Sequence, residues 1–252
     1  MPYFYVNPEE INGPVFNLTG EEAAHLRRVL RSRIGDRIFL FDGLGNFWHA
    51  EISAMSKESV SGKILESRRQ PKLPCSIVLC FSMPSRKAFD DILERGTAAG
   101  ISQFQPLITS RSQETKTDWS GRSPRMRQIL ISSCKQCERA LLPEIKSPLP
   151  FGEALKHFQS SAVNGAHGFI ASFEGIPVSA AVSAAAAGSL NDSKIFLFIG
   201  PEGGFTAEEI SQAGKAGLIS ISLGPYVLRA EEACFYASLA LINAIGGAFR
   251  KN

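Results

Sequence analysis

The stretch Phe198-Ile199-Gly200-Pro201-Glu202-Gly203-Gly204-Phe205-Thr206 places three glycines, a proline and one carboxylate in a single short turn. Glycines let a backbone approach a ligand closely, so this composition suits a cradle for a bound molecule. A second turn, Leu223-Gly224-Pro225-Tyr226-Val227-Leu228-Arg229, ends on a cation just ahead of Glu231 and Glu232. Spacing sorts the nucleotide chemistries. A phosphate-cradling loop of the Walker type needs a lysine that residues 200–206 lack. A dinucleotide fingerprint needs Gly-x-Gly-x-x-Gly, whereas the spacing here is Gly-x-x-Gly-Gly. A glutamate inside the turn repels a pyrophosphate and suits a cationic or neutral ligand better.

Local pattern says what must position these turns. Lys194-Ile195-Phe196-Leu197 opens a continuous apolar run, the mark of a buried parallel strand. Thr206-Ala207-Glu208-Glu209 has the spacing of a helix capping box. The first turn therefore leaves the carboxyl end of a strand, where open α/β sheets bind ligands. The second joins a strand at 218–223 to a helix starting near Glu231. Two such turns, one strand apart, predict two walls of one pocket, with a further wall near Glu174. Strands are also expected at 75–81, 104–109 and 167–173. Helices are expected at 87–100, 124–141, 151–158, 180–187 and 231–246, with a polar loop at 110–123 carrying Arg111, Lys116, Trp119 and Arg122. This alternation predicts a largely parallel sheet with helices on both faces. The last helix is apolar nearly all round, which predicts burial on more than one side, a second subunit included.

Residues 1–70 read differently. Short strands at 38–41, 47–52 and 59–65, joined by glycine turns, predict a small barrel. A helix at 21–31 should open on a Thr19–Glu22 capping box and turn Ala24, Leu26, Val29 and Leu30 inward. Asp36 and Asp42 suit turns rather than catalysis. Residues 68–74, polar with two prolines, mark the boundary between a domain at 1–70 and one at 75–252.

Composition is that of an ordinary globular protein: 44% hydrophobic and 20% charged. The net charge of +3 is unevenly spread, with 10 basic against 9 acidic residues in 1–72, 10 against 6 in 73–139 and 7 against 9 in 140–252. His25-Leu26-Arg27-Arg28-Val29-Leu30-Arg31-Ser32-Arg33 is the densest basic stretch and suits either a phosphate-facing surface or a solvated helix face. The start of the chain has no basic region followed by an apolar core. No run approaches the roughly 20 apolar residues of a membrane span, so the expected compartment is the cytoplasm. Cys75, Cys80, Cys134, Cys137 and Cys234 are odd in number and scattered, which predicts packing residues rather than a disulfide framework or a metal site.

Together the two turns resemble the RsmE-type ribosomal RNA methyltransferases, a branch of the SPOUT, or trefoil-knot, superfamily. The resemblance extends along the chain. His25 to Arg31 with Gly35-Asp36 and Asp42-Gly43 is similar to the family's PUA-like RNA-binding domain, and Arg111-Ser112, Gln136, Arg139 and Leu142-Pro143 match further positions. The pattern is departed from at several positions, Ala230 and Glu232 in the second turn's helix start among them. Ala98 stands where the family usually has a glutamate, and Lys135 reverses the charge of another.

The resemblance implies a SPOUT α/β trefoil-knot methyltransferase domain, knotted through roughly 160–247, behind a small PUA-like β-barrel. It implies a homodimer and methylation of N3 of a uridine in small-subunit ribosomal RNA, with S-adenosylmethionine as donor. The cofactor pocket would be lined by Ile199, Gly200, Gly203, Gly204, Leu223 and Gly224, with Leu197, Leu218 and Leu228 packed around it. Glu202 either contacts the cofactor or caps the helix. Arg229 either holds substrate and stabilises the uridine anion or pairs with Glu231 or Glu232. Glu231 or a water takes the proton. Arg27, Arg28, Arg31, Arg111 and Arg139 are candidates for RNA phosphate contacts. The competing readings are another knotted RNA methyltransferase with a different RNA or a 2′-hydroxyl target, and a non-catalytic ribosome-assembly factor. An α/β enzyme acting on an acidic small molecule is a further one.

Overall fold

A computed structural model describes residues 2–71, 73, 75–112, 123–185, 190 and 192–245. Lys116, Trp119 and Arg122, and the ends of the helices expected to reach 187 and 246, lie outside the described residues. The chain divides into two compact units, Met1–Lys72 with Leu130–Leu142, and Leu73–Ile129 with Pro143–Asn252.

The first unit is built on β1 (Tyr3–Tyr5), β2 (Ile11–Asn12), β3 (Val15–Thr19), α1 (Gly20–Arg28), β4 (Arg37–Phe41), β5 (Asn46–Met55) and β6 (Ser59–Arg69). The strands form one sheet in the order β1-β4-β5-β6-β3-β2, antiparallel except for the β1–β4 pair. Alternate residues of five strands and of α1 meet in one core that includes Phe4, Phe16, Leu18, Leu26, Leu40 and Ile52. The sheet thus wraps a single apolar interior, as alternation of side chains along each strand requires. The carboxylate of Asp42 accepts from the backbone N–H of Leu44 (2.7 Å) and of Asn46 (3.1 Å), the turn-forming role expected of it.

Three expectations for this unit are corrected. The Thr19–Glu22 capping box does not form: the Thr19 hydroxyl donates to Glu10, and Glu22 meets Lys135 at 2.9 Å. α1 stops at Arg28, so Val29 (66% exposed) and Leu30 (42%) face outward, and Ala23 and Leu26 supply the buried face. The helix expected to reach 141 is α3 (Ser123–Cys137), which ends at the left-handed Glu138 (φ +57°). The return segment carries Ile131, Cys134 and Ala140 onto Tyr5, Phe41 and Phe47 as a second apolar cluster. Lys135 accounts for its own charge here, paired to Glu22 and lying 5.2 Å over the Phe4 ring.

The second unit contains β7 (Ser76–Ser82), α2 (Arg86–Ala98), β8 (Gln103–Ile108), the first turns of α3, β9 (Glu144–Ile145), β10 (Leu149–Pro150), α4 (Phe151–Ala162), β11 (His167–Pro177), α5 (Val178–Ala185), β12 (Lys194–Ile199), α6 (Ala207–Lys215), β13 (Ile219–Ser222) and α7 (Ala230–Ala244). All its strand pairs are parallel, in the order β10-β8-β7-β12-β11-β13, with β9 on β8. β12 lies between two neighbours, which is why Ile195 to Ile199 are apolar and buried without a break. Phe196 and Phe198 pack on one face with Phe151, Leu155 and Phe158 of α4. α7 contacts β12 and β7, and α2 and α5 contact α7. Alternation along β12 therefore gives Ile195, Leu197 and Ile199 the other face. α7 buries Ala233, Cys234, Ala237, Ser238, Leu241 and Ile242, while Tyr236 (53%) and Leu239 (37%) stay exposed. Cys75, Cys80, Cys134 and Cys234 are buried and free, and burial pushes the Cys134 thiol up to about 12, as packing residues require. Among the described residues no helix is long and apolar enough to cross a membrane.

Candidate ligand pocket at the carboxyl ends of the parallel strands

A cavity of about 310 Å³ opens in the second unit where β11, β12 and β13 end. This is the size of a small-molecule site. Its first wall is the turn after β12. The N–H of Gly204 (φ +67°) donates to the carbonyl of Pro201 at 2.7 Å, closing the turn. A Cβ on Gly200 would stand 3.1 Å from the backbone nitrogen and from the ring of Phe205, so a side chain there would push the turn back by a few tenths of an ångström. Phe205 is buried against Phe151 at 5.2 Å between ring centres and anchors the turn in the core. The expected capping box is formed: Thr206 N–H donates to Glu209 Oε2 (2.8 Å), and Glu209 N–H to Thr206 Oγ1 (3.2 Å).

The second wall is the turn after β13. Gly224 holds φ +123°, a backbone region other residues avoid, and donates its N–H to Ser222 Oγ at 3.3 Å. Tyr226 (81%) and Val227 (67%) project outward at the cavity rim. The third wall is Ala171, Ser172 and Phe173 of β11. Here the pairing of β11 with β13 shifts register between Ala171 and Ile176, which carries the strand past its expected end at Glu174. Ile210, Ala230 and Ala233 complete the lining.

Of the residues expected to line a cofactor pocket, Ile199, Gly200, Glu202, Gly203, Gly204, Leu223, Gly224 and Leu228 do line this cavity. Leu197 and Leu218 do not. Leu197 is fully buried on the α7 face of β12, and Leu218 sits in the α4 core, where the ring of Phe158 also approaches Gly168. A leucine beside a glycine turn is as apt for core as for lining, and strand alternation decides which. Arg229 and Glu231 follow the second turn without lining the cavity. Arg229 is exposed, and its contact with Glu232 is through its backbone N–H (3.2 Å), not the side-chain pairing weighed as an alternative.

Arg111, a candidate for an RNA phosphate contact, lines the cavity and donates through a guanidinium nitrogen to the carbonyl of Gly203. In the first unit Arg28 and Arg31 are exposed and Arg27 is half-buried, its Nε out of water and without a hydrogen bond. Arg139, a candidate for an RNA phosphate contact, is buried (8% exposed). Burial lowers its pKa, and the neighbouring Cys134 and Cys137 act the other way. The wall expected near Glu174 is formed by Phe173 with Ala171 and Ser172, and Tyr226 of the second turn stands at the rim. Ile210 of α6 and Ala233 of α7 also line the cavity, which the turns by themselves do not announce.

Comparison with known proteins adds identity to this geometry. A family model described as an RNA methyltransferase domain matches residues 71–242, and one described as an RNA methyltransferase PUA domain matches residues 18–65. The chain is 32% identical over 241 residues to the ribosomal RNA small subunit methyltransferase E of Synechocystis sp., covering 95% of this chain and 76% of that protein. It is 28% identical to the protein of that name from Bacillus subtilis, covering 90% of each. The crystal structure of the Neisseria gonorrhoeae ribosomal RNA small subunit methyltransferase E bound to S-adenosyl methionine superposes with a TM-score of 0.82 at 28% identity, over 96% of this chain and 97% of that one. With a parallel α/β unit of the SPOUT type and an N-terminal PUA unit, the chain belongs to the ribosomal RNA small subunit methyltransferase E family of RNA methyltransferases.

Proposed function

We propose that the protein transfers a methyl group from S-adenosylmethionine to N3 of a uridine in small-subunit ribosomal RNA. The observation that carries this reading is the cavity walled by both glycine-proline turns, in a chain of this family. The lining suits the cofactor. Ile199, Leu223, Leu228 and Ala233 offer apolar walls, the glycines bring backbone groups close, and Glu202 supplies the one carboxylate for a cationic ligand. Among the described residues no cluster of three or more metal-ligating side chains occurs.

When bound, the cofactor supplies an electrophilic methyl on a sulfonium. The chain must then align the uracil nitrogen behind that methyl and receive the N3 proton. Orientation of this kind is worth up to about 7–11 kcal/mol in favourable systems. Since N3 lies on the pairing edge, the target base is taken out of its stack or presented in a loop. Arg229 is exposed just beyond the second turn, where its guanidinium is free to meet a base, and it stabilises the uridine anion. Glu231 or a water accepts the proton, and the pH–rate profile of Glu231→Gln distinguishes them. Arg27, Arg28 and Arg31 contact RNA phosphates from the PUA unit.

The working form is a homodimer through the exposed Tyr236–Leu239 face of α7, in the cytoplasm where the RNA resides. Residues from about 160 onward form the knot of the superfamily. The position of β11 between the later strands β12 and β13 supports that threading. The test is transfer of a labelled methyl from S-adenosylmethionine to small-subunit particles and to bare ribosomal RNA, by wild type and Arg229→Ala. Label recovered as N3-methyluridine, lost in the variant, is the expected result. Cofactor binding without transfer to either substrate would overturn the ribosomal assignment, and sedimentation as a monomer at micromolar concentration would overturn the dimer.

A further inference from the structure

Arg111 belongs to a short loop that is fixed before it reaches the pocket. The hydroxyls of Ser82, Thr109 and Ser112 meet one another at 2.8, 2.9 and 3.0 Å, and Ser112 Oγ also accepts the N–H of Thr109 at 2.8 Å. Ser82 and Thr109 are buried, so this triad is a rigid anchor at the ends of β7 and β8. From it two adjacent residues reach the turn after β12. Ser110 donates its N–H to Glu209 Oε1 at 2.9 Å, and Arg111 donates to the carbonyl of Gly203. The other oxygen of Glu209 holds Thr206. Glu209 is 6% exposed, so both of its bonds act with little competition from water. The stem of Arg111 also packs on the turn, with Cδ 3.5 Å from where a Cβ on Gly203 would lie.

We propose that Arg111 and Glu209 form a two-point latch that holds residues 203–206 in the shape that walls the pocket. Arg111 is then a positioning residue for the cofactor turn, not a phosphate contact. The inference rests on the reading of this cavity as the S-adenosylmethionine site. The latch fixes the turn at both ends, at Gly203 by a cation and at Thr206 by a carboxylate. Removing either bond lets the backbone of Gly203 and Gly204 leave the lining, and cofactor affinity falls while RNA affinity stays.

The test uses the full chain and S-adenosylmethionine alone, by calorimetry without RNA. Arg111→Met keeps the packed stem and removes the donor. It is expected to weaken cofactor binding about tenfold, the scale of one hydrogen bond to a charged group, with partial rescue in Arg111→Lys. The RNA KM and its salt dependence should change less than the cofactor affinity does. A cofactor affinity equal to wild type, with a raised RNA KM and a shallower salt dependence, would return Arg111 to the phosphate contacts and overturn the latch. Hydrogen exchange of the unliganded protein supplies a readout independent of activity. Glu209→Gln keeps one acceptor and should speed exchange at the amides of Ser110 and Thr206 while distant core amides stay protected, and unchanged exchange there would also overturn the proposal. Wild type that fails to bind S-adenosylmethionine would sink the cofactor reading itself, and the exchange experiment would still decide the latch.

Discussion

The two glycine-proline turns have the same layout, a parallel strand, a turn and a helix, yet they are built differently. The turn after β12 is tied at Pro201–Gly204, at Gly203 by Arg111 and at Thr206 by Glu209, with Phe205 sunk in the core. The turn after β13 has the Gly224–Ser222 contact, an outward Tyr226 and Val227, and a helix whose N-cap is Arg229. A guanidinium has no acceptor, so Arg229 is a poor cap where Thr206 is a good one. The difference teaches a division of labour. One wall is tied at three points, and the other leaves Tyr226 and Val227 exposed. On the reading proposed above, the arginine stands where serine or threonine would stabilise the helix because it serves the reaction.

The largest effect that tests this division is at Arg229. Arg229→Ala should lower methyl transfer by about 100-fold or more, the cost of losing one stabilising donor. Its cofactor dissociation constant should change much less, and an equal loss in both would break the comparison. Arg229→Ser should lose transfer too, yet gain about 1 kcal/mol of stability from the new cap in denaturant melts. Next comes Gly224→Ala. At φ +123°, with open space around it, the whole cost is backbone strain, about 1–3 kcal/mol. Gly204 sits at φ +67°, where asparagine is tolerated, so Gly204→Asn should cost less than Gly224→Asn. Thr206→Ala should cost about 1 kcal/mol through its lost cap. Smallest is Tyr226→Ala, within about 0.5 kcal/mol in stability because the ring is 81% exposed. A larger drop would mean that the second wall is packed rather than open.

What was readable in the sequence follows the same line between local and distant. The Thr206–Glu209 box and both strand–turn–helix units rest on neighbours a few residues apart, and they formed as read. Thr19 and Glu22 have identical spacing, but Glu10 and Lys135 offered better partners, and only the folded chain brings Lys135 there. Arg111, in the loop expected at 110–123, and Arg139, in the helix expected to reach 141, were both candidates for phosphate contacts. One meets a carbonyl in the pocket wall and the other is buried. Phe173 falls where a wall was expected near Glu174, but β11 shifts register and runs on to Pro177, which no periodicity announces. The two turns carried most of the site because glycine, proline and a strand end constrain backbone and ligand at once.

The return segment, residues 130–142, has a consequence during synthesis. Tyr5, Phe41 and Phe47 emerge from the ribosome early, but Ile131, Cys134 and Ala140, which cover them, follow much later in the chain. At roughly 5–20 residues per second the first unit waits several seconds for its last piece, with an aromatic face open to solvent. A nascent chain released at residue 72 would carry that face permanently. Such a fragment exposes an apolar face that the finished protein covers, which is the kind of patch that drives aggregation.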